Sequence, residues 1–110
     1  MNDKKWELSL LCDIYGALLS EKQRTALEMY CNEDYSLSEI AENTGISRQG
    51  VRDQIEHART QLIQAEAALG LLAKYTRLSE LLGKLEAAQA VQTDSVLAAA
   101  VKEIRETLNF

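Results

Sequence analysis

Five polar residues in the middle of the chain have the types and spacing to contact nucleic acid. Four of them lie within six positions and the fifth follows two helical turns later: Ser47, Arg48, Gln49, Arg52 and Arg59. Arginine is the side chain that most often recognises guanine, glutamine recognises adenine, and backbone amides at a helix start can hold a phosphate. We therefore predict that this set contacts nucleic acid, either DNA or RNA.

A second interpretation of the same residues stays open. Arg48 and Arg52 are also compatible with solvated charges that pair with Asp53 or Glu56 at helical spacing. Gly50 costs about 1 kcal/mol of helix propensity relative to alanine, so it either permits close approach of a partner or is simply tolerated. Residue types alone do not decide between nucleic-acid contact and a solvated face.

Enzyme chemistry has little support in the sequence. His57 is the only histidine, and no serine or cysteine lies at the spacing of a nucleophile with its base. Cys12 and Cys31 are too few and too far apart for a zinc site, and each fits a small buried apolar side chain. A glycine-rich phosphate loop is also missing. We predict no enzyme activity, no cofactor, no metal site and no small-molecule substrate.

The elements that position the arginines are two short helices joined by a tight turn. Ser36 and Glu39 have the spacing of a capping box at the start of the first helix. Gly45 is suited to end that helix, because glycine enters the left-handed conformation without strain. Ser47 is suited to cap a second helix. This pattern predicts a helix-turn-helix motif whose second helix presents its arginines outward.

Two further helices are predicted before the motif. The first is amphipathic, from about Lys5 to Leu19, with a principal apolar stripe of Trp6, Leu10, Ile14 and Ala17 and a second group beside it, Leu8, Leu11, Tyr15 and Leu18. The second is capped by Ser20 and Gln23, with a buried face of Ala26, Leu27, Tyr30 and Cys31. Residues 1–68 are therefore expected to form a helix-turn-helix domain of four helices.

The rest of the chain, residues 69–110, is predicted to be a helical extension. A heptad-type pattern continues through the motif's second helix, with members Ile55, Ala58, Leu62, Ala65, Leu69 and Leu72. Gly70 is a candidate helix end, followed by a second pattern of Leu71, Tyr75, Leu78, Leu82 and Leu85. Thr93 or Asp94 can cap a last helix with apolar members Val96, Leu97, Ala100, Val101, Ile104 and Leu108.

These long apolar stripes exceed what one small four-helix unit can cover. We therefore predict a homodimer that is held by the extension, and the alternative is an intramolecular hairpin of the same helices. Pairing also bears on affinity, since two weakly binding motifs gain avidity on neighbouring half-sites.

Composition and charge limit how tightly a single copy can bind nucleic acid and indicate where the protein is located. The 110 residues include no proline and carry a net charge of −5. Residues 46–64 are the one locally basic segment, with three arginines against two acidic residues. Because duplex binding depends on phosphate neutralisation, we expect weak, salt-sensitive binding by a single copy. The sequence lacks a membrane-span pattern and a signal-peptide layout, so a cytoplasmic location is expected.

Four segments together resemble a known family: DIYGALLSEKQR, YSLSEIAE, ISRQGV and LGLLAKY. The region around them is similar to region 4 of bacterial sigma factors and, more closely, to the YlxM-like family of small helix-turn-helix proteins encoded beside signal recognition particle genes. The likeness covers about residues 8–90. It implies a regulatory, non-catalytic protein linked to the signal recognition particle, through its RNA or through its GTPase.

The expected fold class is therefore all-α. We predict a helix-turn-helix helical bundle, winged-helix-like or sigma region 4-like, with long C-terminal helices. Two functions are compatible with the sequence. The first is a nucleic-acid-binding regulator, and the second is a protein-interaction module that binds or modulates the signal recognition particle GTPase without base-specific contacts.

Overall fold

The computed structural model describes residues 5–109, and over that range the chain is all-α. The described helices are α1 (Lys5–Tyr15), a 3₁₀ turn (Gly16–Leu18), α2 (Glu21–Cys31), α3 (Leu37–Thr44), α4 (Arg48–Leu69), α5 (Leu71–Ala87), α6 (Gln89–Thr93) and α7 (Ser95–Leu108). The predicted fold class is confirmed. A β-strand wing, which the winged-helix-like part of the prediction implies, is absent from residues 5–109.

The chain divides into two compact units, of which the first ends at Gly70 and the second begins at Leu71. In the first unit, α4 packs against α1, α2 and α3. Its core contains fully buried side chains from three helices: Leu27 of α2, Ile40 of α3, and Val51, Ile55, Ala58 and Leu62 of α4. The motif is therefore held by the core of the first unit.

The first helix differs from the prediction in length and in orientation. It ends at Tyr15, and its buried side is Leu8, Leu11, Cys12 and Tyr15. The predicted principal stripe is wrong, because Trp6 is 65% exposed and Leu10 is 39% exposed. Apolar residues occupy two adjoining sides of this helix, so periodicity alone does not say which side packs inward. Cys31, expected to be buried, is only half-buried.

The heptad pattern on α4 is buried over only part of its length. Burial continues to Leu62, Ala65 is half-buried, and Leu69 is 52% exposed. The 22 residues of α4 span about 33 Å, whereas the 11 residues of α1 or α2 span about 17 Å. The end of α4, beyond the contact of Glu66 with Tyr15 of α1, therefore extends past the helices that cover its first half.

The turn between α3 and α4 has the predicted chemistry. Gly45 adopts the left-handed conformation with φ 75°, and its N–H donates to the Ala41 carbonyl. Both predicted caps of the motif are confirmed, since Ser36 and Glu39 form a capping box and the Ser47 side chain caps α4. The backbone thus reverses at Gly45, and α4 begins as a separate helix.

The same substitution at two glycines is expected to have opposite effects. Gly45→Ala places a side chain at a positive φ and should cost about 1 kcal/mol or more of unfolding free energy. Gly83 lies inside α5 in open space with an ordinary helical backbone, so Gly83→Ala should stabilise by about 0.5–1 kcal/mol. Denaturant unfolding measures both, and equal signs would contradict the two backbone assignments.

The second unit contains α5, α6 and α7, with α5 and α7 packed on each other. Asp94 caps α7, because its carboxylate accepts from the N–H groups of Val96 and Leu97 at 2.9 and 3.2 Å. Arg105 joins the two long helices by donating to Glu86 at 2.7 and 3.2 Å and to the Ser79 hydroxyl at 2.9 Å. This ion pair lowers the pKa of the Glu86 carboxyl.

Candidate nucleic-acid interface

A shallow groove of about 520 Å³ lies where the first turns of α3 and α4 meet. Its lining is Ser36, Leu37, Ser38, Ser47, Arg48, Gln49 and Arg52. These seven residues include two arginines and no carboxylate. The lining itself is therefore cationic, and the carboxylates of Glu39 and Asp53 lie beside it in hydrogen bonds to Ser36 and Gln49.

Both helices direct their N-terminal ends to the groove. The Ser36 hydroxyl accepts from the Glu39 N–H at 3.1 Å, and the Ser47 hydroxyl accepts from the Gly50 N–H at 3.0 Å. The earlier amides of each first turn have no acceptor inside their own helix. Such amides, together with the positive end of the helix dipole, favour a bound anion. Phosphate oxygens therefore suit the groove chemically.

The two arginines of the groove are exposed and lie near each other on α4. Arg48 and Arg52 are one helical turn apart on α4, and neither forms an ion pair within the described part of the chain. Like charges at this spacing destabilise a helix by about 0.2–0.5 kcal/mol. An anionic ligand between them would remove that repulsion. The ion pairs with Asp53 or Glu56 that the alternative interpretation named do not form, and both arginines remain exposed to solvent.

Asp53 pairs instead with the glutamine of the groove. The Gln49 side-chain amide donates to an Asp53 carboxylate oxygen at 3.0 Å, four residues along α4. This contact fixes the orientation of the Gln49 amide. Gln49 must break it before its amide can recognise an adenine, whereas Arg48 and Arg52 are available as they stand.

Arg59 is the predicted site residue that does not line the groove. It is half-buried and already has a contact within the protein. At 100° per residue it still falls within about 20° of both Arg48 and Arg52 around the α4 axis. The groove therefore brings together four of the five predicted residues, and Arg59 follows on the same side of the helix.

Sequence reasoning missed the contribution of α3 to this surface. Ser36, Leu37 and Ser38 line the groove, yet the sequence identified Ser36 only as a helix cap. The available signal was the repeated cap, since Ser36 and Ser47 each begin a helix of the same motif. The start of α3 is a full helix length from the turn at Gly45, so the approach of the two N-terminal ends depends on how α3 packs against α4.

The structure shows close contacts around Gly50 that the sequence did not suggest. A Cβ at this position would lie 3.2 Å from the Ser47 hydroxyl oxygen and 3.8 Å from two side-chain atoms of Ile46. The hydroxyl is held there because it accepts from the Gly50 N–H. A side chain at position 50 would therefore require the Ser47 hydroxyl to shift by a few tenths of an ångström, as it can in the Ser36 cap, where Glu39 occupies the same position.

Acid is expected to loosen the motif through Glu39. The Ser36 backbone N–H donates to its carboxylate at 3.0 Å, which lowers the Glu39 pKa below its ordinary value of 4.5. A lowered pKa means that this stabilisation is complete above pH 4.5 and is lost as the pH falls through the native pKa. In an acid titration of stability, Glu39→Gln should flatten the wild-type decrease below pH 4.5. An identical decrease in both proteins would contradict this role.

The chain matches one family model over residues 2–104, that of UPF0122, described as "Putative helix-turn-helix protein, YlxM / p13 like". It is 41% identical over 108 residues to the UPF0122 protein of Geobacillus kaustophilus, which covers 96% of this chain and 98% of that protein. The chain belongs to the UPF0122 family. Its predicted likeness to the YlxM-like proteins is thereby confirmed.

Two further UPF0122 relatives show how far the similarity extends. The protein of Halalkalibacterium halodurans is 41% identical over 108 residues, which cover 98% of this chain and 99% of that protein. The protein of Acetivibrio thermocellus is 51% identical over 73 residues, which cover 66% of this chain and 62% of that protein. The helix-turn-helix description of the family agrees with the α3–turn–α4 geometry.

None of the helices within 5–109 is long and apolar enough to span a membrane. The same range holds no cluster of three or more histidine, cysteine, aspartate or glutamate side chains with the geometry of a metal site.

Proposed function

We propose that this protein is a cytoplasmic, non-enzymatic regulatory protein that binds nucleic acid through the groove between α3 and α4. The observation that carries the proposal is the meeting of two helix N-terminal ends with two exposed arginines in a lining without carboxylates. The proposed contact residues are Ser47, Arg48, Gln49 and Arg52 in the groove, with Arg59 as an outer contact.

The protein's groove between α3 and α4 suggests how each of the two helices would act. The first turn of α4 enters the major groove of a duplex, where Arg48 and Arg52 contact guanine edges or flanking phosphates. The first turn of α3 crosses the sugar–phosphate backbone, and its amides hold a phosphate. Phosphate contacts of this kind position the protein, and the arginines provide any preference for sequence.

Salt dependence tests this proposal directly. Two or three neutralised phosphates predict that the logarithm of the binding constant falls with the logarithm of salt concentration with a slope of about −2 to −3. Fluorescence anisotropy with a labelled DNA duplex and a structured RNA hairpin, over a salt series, measures that slope. Absence of binding to both probes at the lowest salt concentration would remove the proposal.

A second candidate function is contact with the GTPase of the signal recognition particle, which the resemblance to YlxM-like proteins implies. The observation that favours it is that two large apolar side chains of the first unit, Trp6 and Leu18, are 65% and 61% exposed. A complex with that GTPase that tolerates high salt and survives the loss of Arg48 and Arg52 would support it. A complex that those substitutions abolish would favour the groove.

We further propose that the protein works as a homodimer, with residues 69–110 as the dimerisation element. A single copy offers few cationic contacts against a net charge of −5. Two linked motifs convert the second binding event into an intramolecular one, which raises the overall affinity without a new contact. A duplex with two half-sites should therefore bind more tightly than one with a single half-site.

A further inference from the structure

More of the large apolar side chains of the second unit are exposed than are buried. Within residues 71–109, Leu82 and Val101 are the buried large side chains, and seven others are 39–75% exposed: Leu71, Leu78, Leu81, Leu85, Val96, Leu97 and Ile104. A unit of this size with so small a core lies at the limit below which helical units usually need a further partner. Exposed apolar surface of this extent marks an interaction site.

The exposed residues have a regular arrangement. Leu78 and Leu85 are seven residues apart on α5, and Leu97 and Ile104 are seven residues apart on α7. The buried Leu82 and Val101 lie between them, so each helix turns one apolar row inward and a neighbouring row outward. Heptad spacing keeps a row on one face over successive turns, which is the pattern that another helix packs against. We define the exposed rows of the two helices, which are Leu78, Leu81 and Leu85 of α5 and Leu97 and Ile104 of α7, as the α5–α7 face.

Charge indicates which partner fits the α5–α7 face. Residues 71–109 contain five basic and five acidic side chains, so the unit is neutral, and the charge of −5 belongs to the first seventy residues. A neutral unit lacks the net charge that would attract nucleic acid or a strongly charged protein. A second copy of the same unit meets no net repulsion. Covering the face on two copies buries on the order of 1,000 Å² of surface, which reaches the size of a specific interface.

We infer that two copies of this chain associate through the α5–α7 face, with the two helix pairs forming an intermolecular four-helix bundle. Each copy contributes the same surface, as a two-fold interface requires. The inference assigns residues to the pairing proposed above, and it is tested without nucleic acid. Failure of the dimer therefore leaves the groove untouched, and failure of the groove leaves the dimer untouched.

Sedimentation equilibrium of the full chain at tens of micromolar tests the inference. The wild type should have twice the monomer mass of 12.3 kDa. Leu78→Lys/Leu85→Lys should have the monomer mass and keep its helical circular dichroism. The matched control, Leu10→Lys/Leu18→Lys, adds the same charges to exposed leucines of the first unit and should remain a dimer.

A milder variant covers the case in which the lysines unfold the second unit. Leu78→Ala/Leu85→Ala keeps helix propensity and should raise the dimer dissociation constant at least tenfold. A wild type of monomer mass overturns the inference. A dimer that both the lysine and the alanine variants of Leu78 and Leu85 leave intact also overturns it. So does a dimer that only the first-unit control, Leu10→Lys/Leu18→Lys, disrupts.

Discussion

Replacing Arg48 and Arg52 together with alanine is expected to reduce nucleic-acid affinity about a hundredfold. An arginine that contacts a base edge contributes about 1–3 kcal/mol, and each lost phosphate contact lowers the salt slope by about one. Both side chains are exposed at the groove, and neither forms an ion pair within the described residues. Their removal should therefore leave stability nearly unchanged. Anisotropy with the duplex and hairpin probes, over a salt series, measures the affinity and the slope together.

The control for this variant must lose the same charge elsewhere. Lys22→Ala/Lys84→Ala removes two positive charges from exposed positions outside the groove lining. If general attraction were the cause, both double variants would lose affinity equally. The groove predicts a large loss for the arginine variant alone, and equal affinities of that variant and the wild type would contradict it.

Ile55→Ala is expected to destabilise the first unit by about 2–5 kcal/mol, because it leaves a cavity at a fully buried position. A loss of this size is a large fraction of the stability of a small domain. Ile63→Ala is the matched control, since it makes the same change on the same helix at a side chain that is 43% exposed. We expect the control to cost less than about 1 kcal/mol.

Urea unfolding followed by circular dichroism measures both isoleucine variants. The core assignment is wrong if the two substitutions cost the same. A large loss at Ile63 and a small loss at Ile55 would mean that α4 is rotated relative to the packing described.

The local features of the motif were predictable because each depends on a few neighbouring residues. A capping box needs only Ser36 and Glu39, and the left-handed helix end needs only Gly45. Such signals do not depend on what packs elsewhere in the chain. The start of α4 and the outward position of Arg48 and Arg52 followed from them.

Which side of a helix is buried was harder to predict, because burial depends on distant parts of the chain. In α1 the side that contains Tyr15 packs inward, and the Tyr15 hydroxyl donates to Glu66 on α4 at 2.7 Å. These residues are fifty-one positions apart, so no local pattern connects them. The side that contains Trp6 and Leu10 has equally apolar residues and remains exposed.

The groove itself was predictable only in part, for the same reason. Its α4 residues are adjacent in sequence and were found by type and spacing. Its α3 residues are serines and a leucine, types that carry no specific signal for binding. They belong to the surface because α3 packs against α4 so that the first turns of both helices line one groove, and this is a property of the fold.

Amide chemical shifts provide the most direct test of the groove as the nucleic-acid site. The full chain, labelled with ¹⁵N, would be titrated with an unlabelled DNA duplex and, separately, with an RNA hairpin. The predicted result is that the amides of Leu37, Ser38, Arg48 and Gln49 shift first and furthest. Shifts confined to α1 or α7, with these four amides unmoved at saturation, would contradict the proposed function.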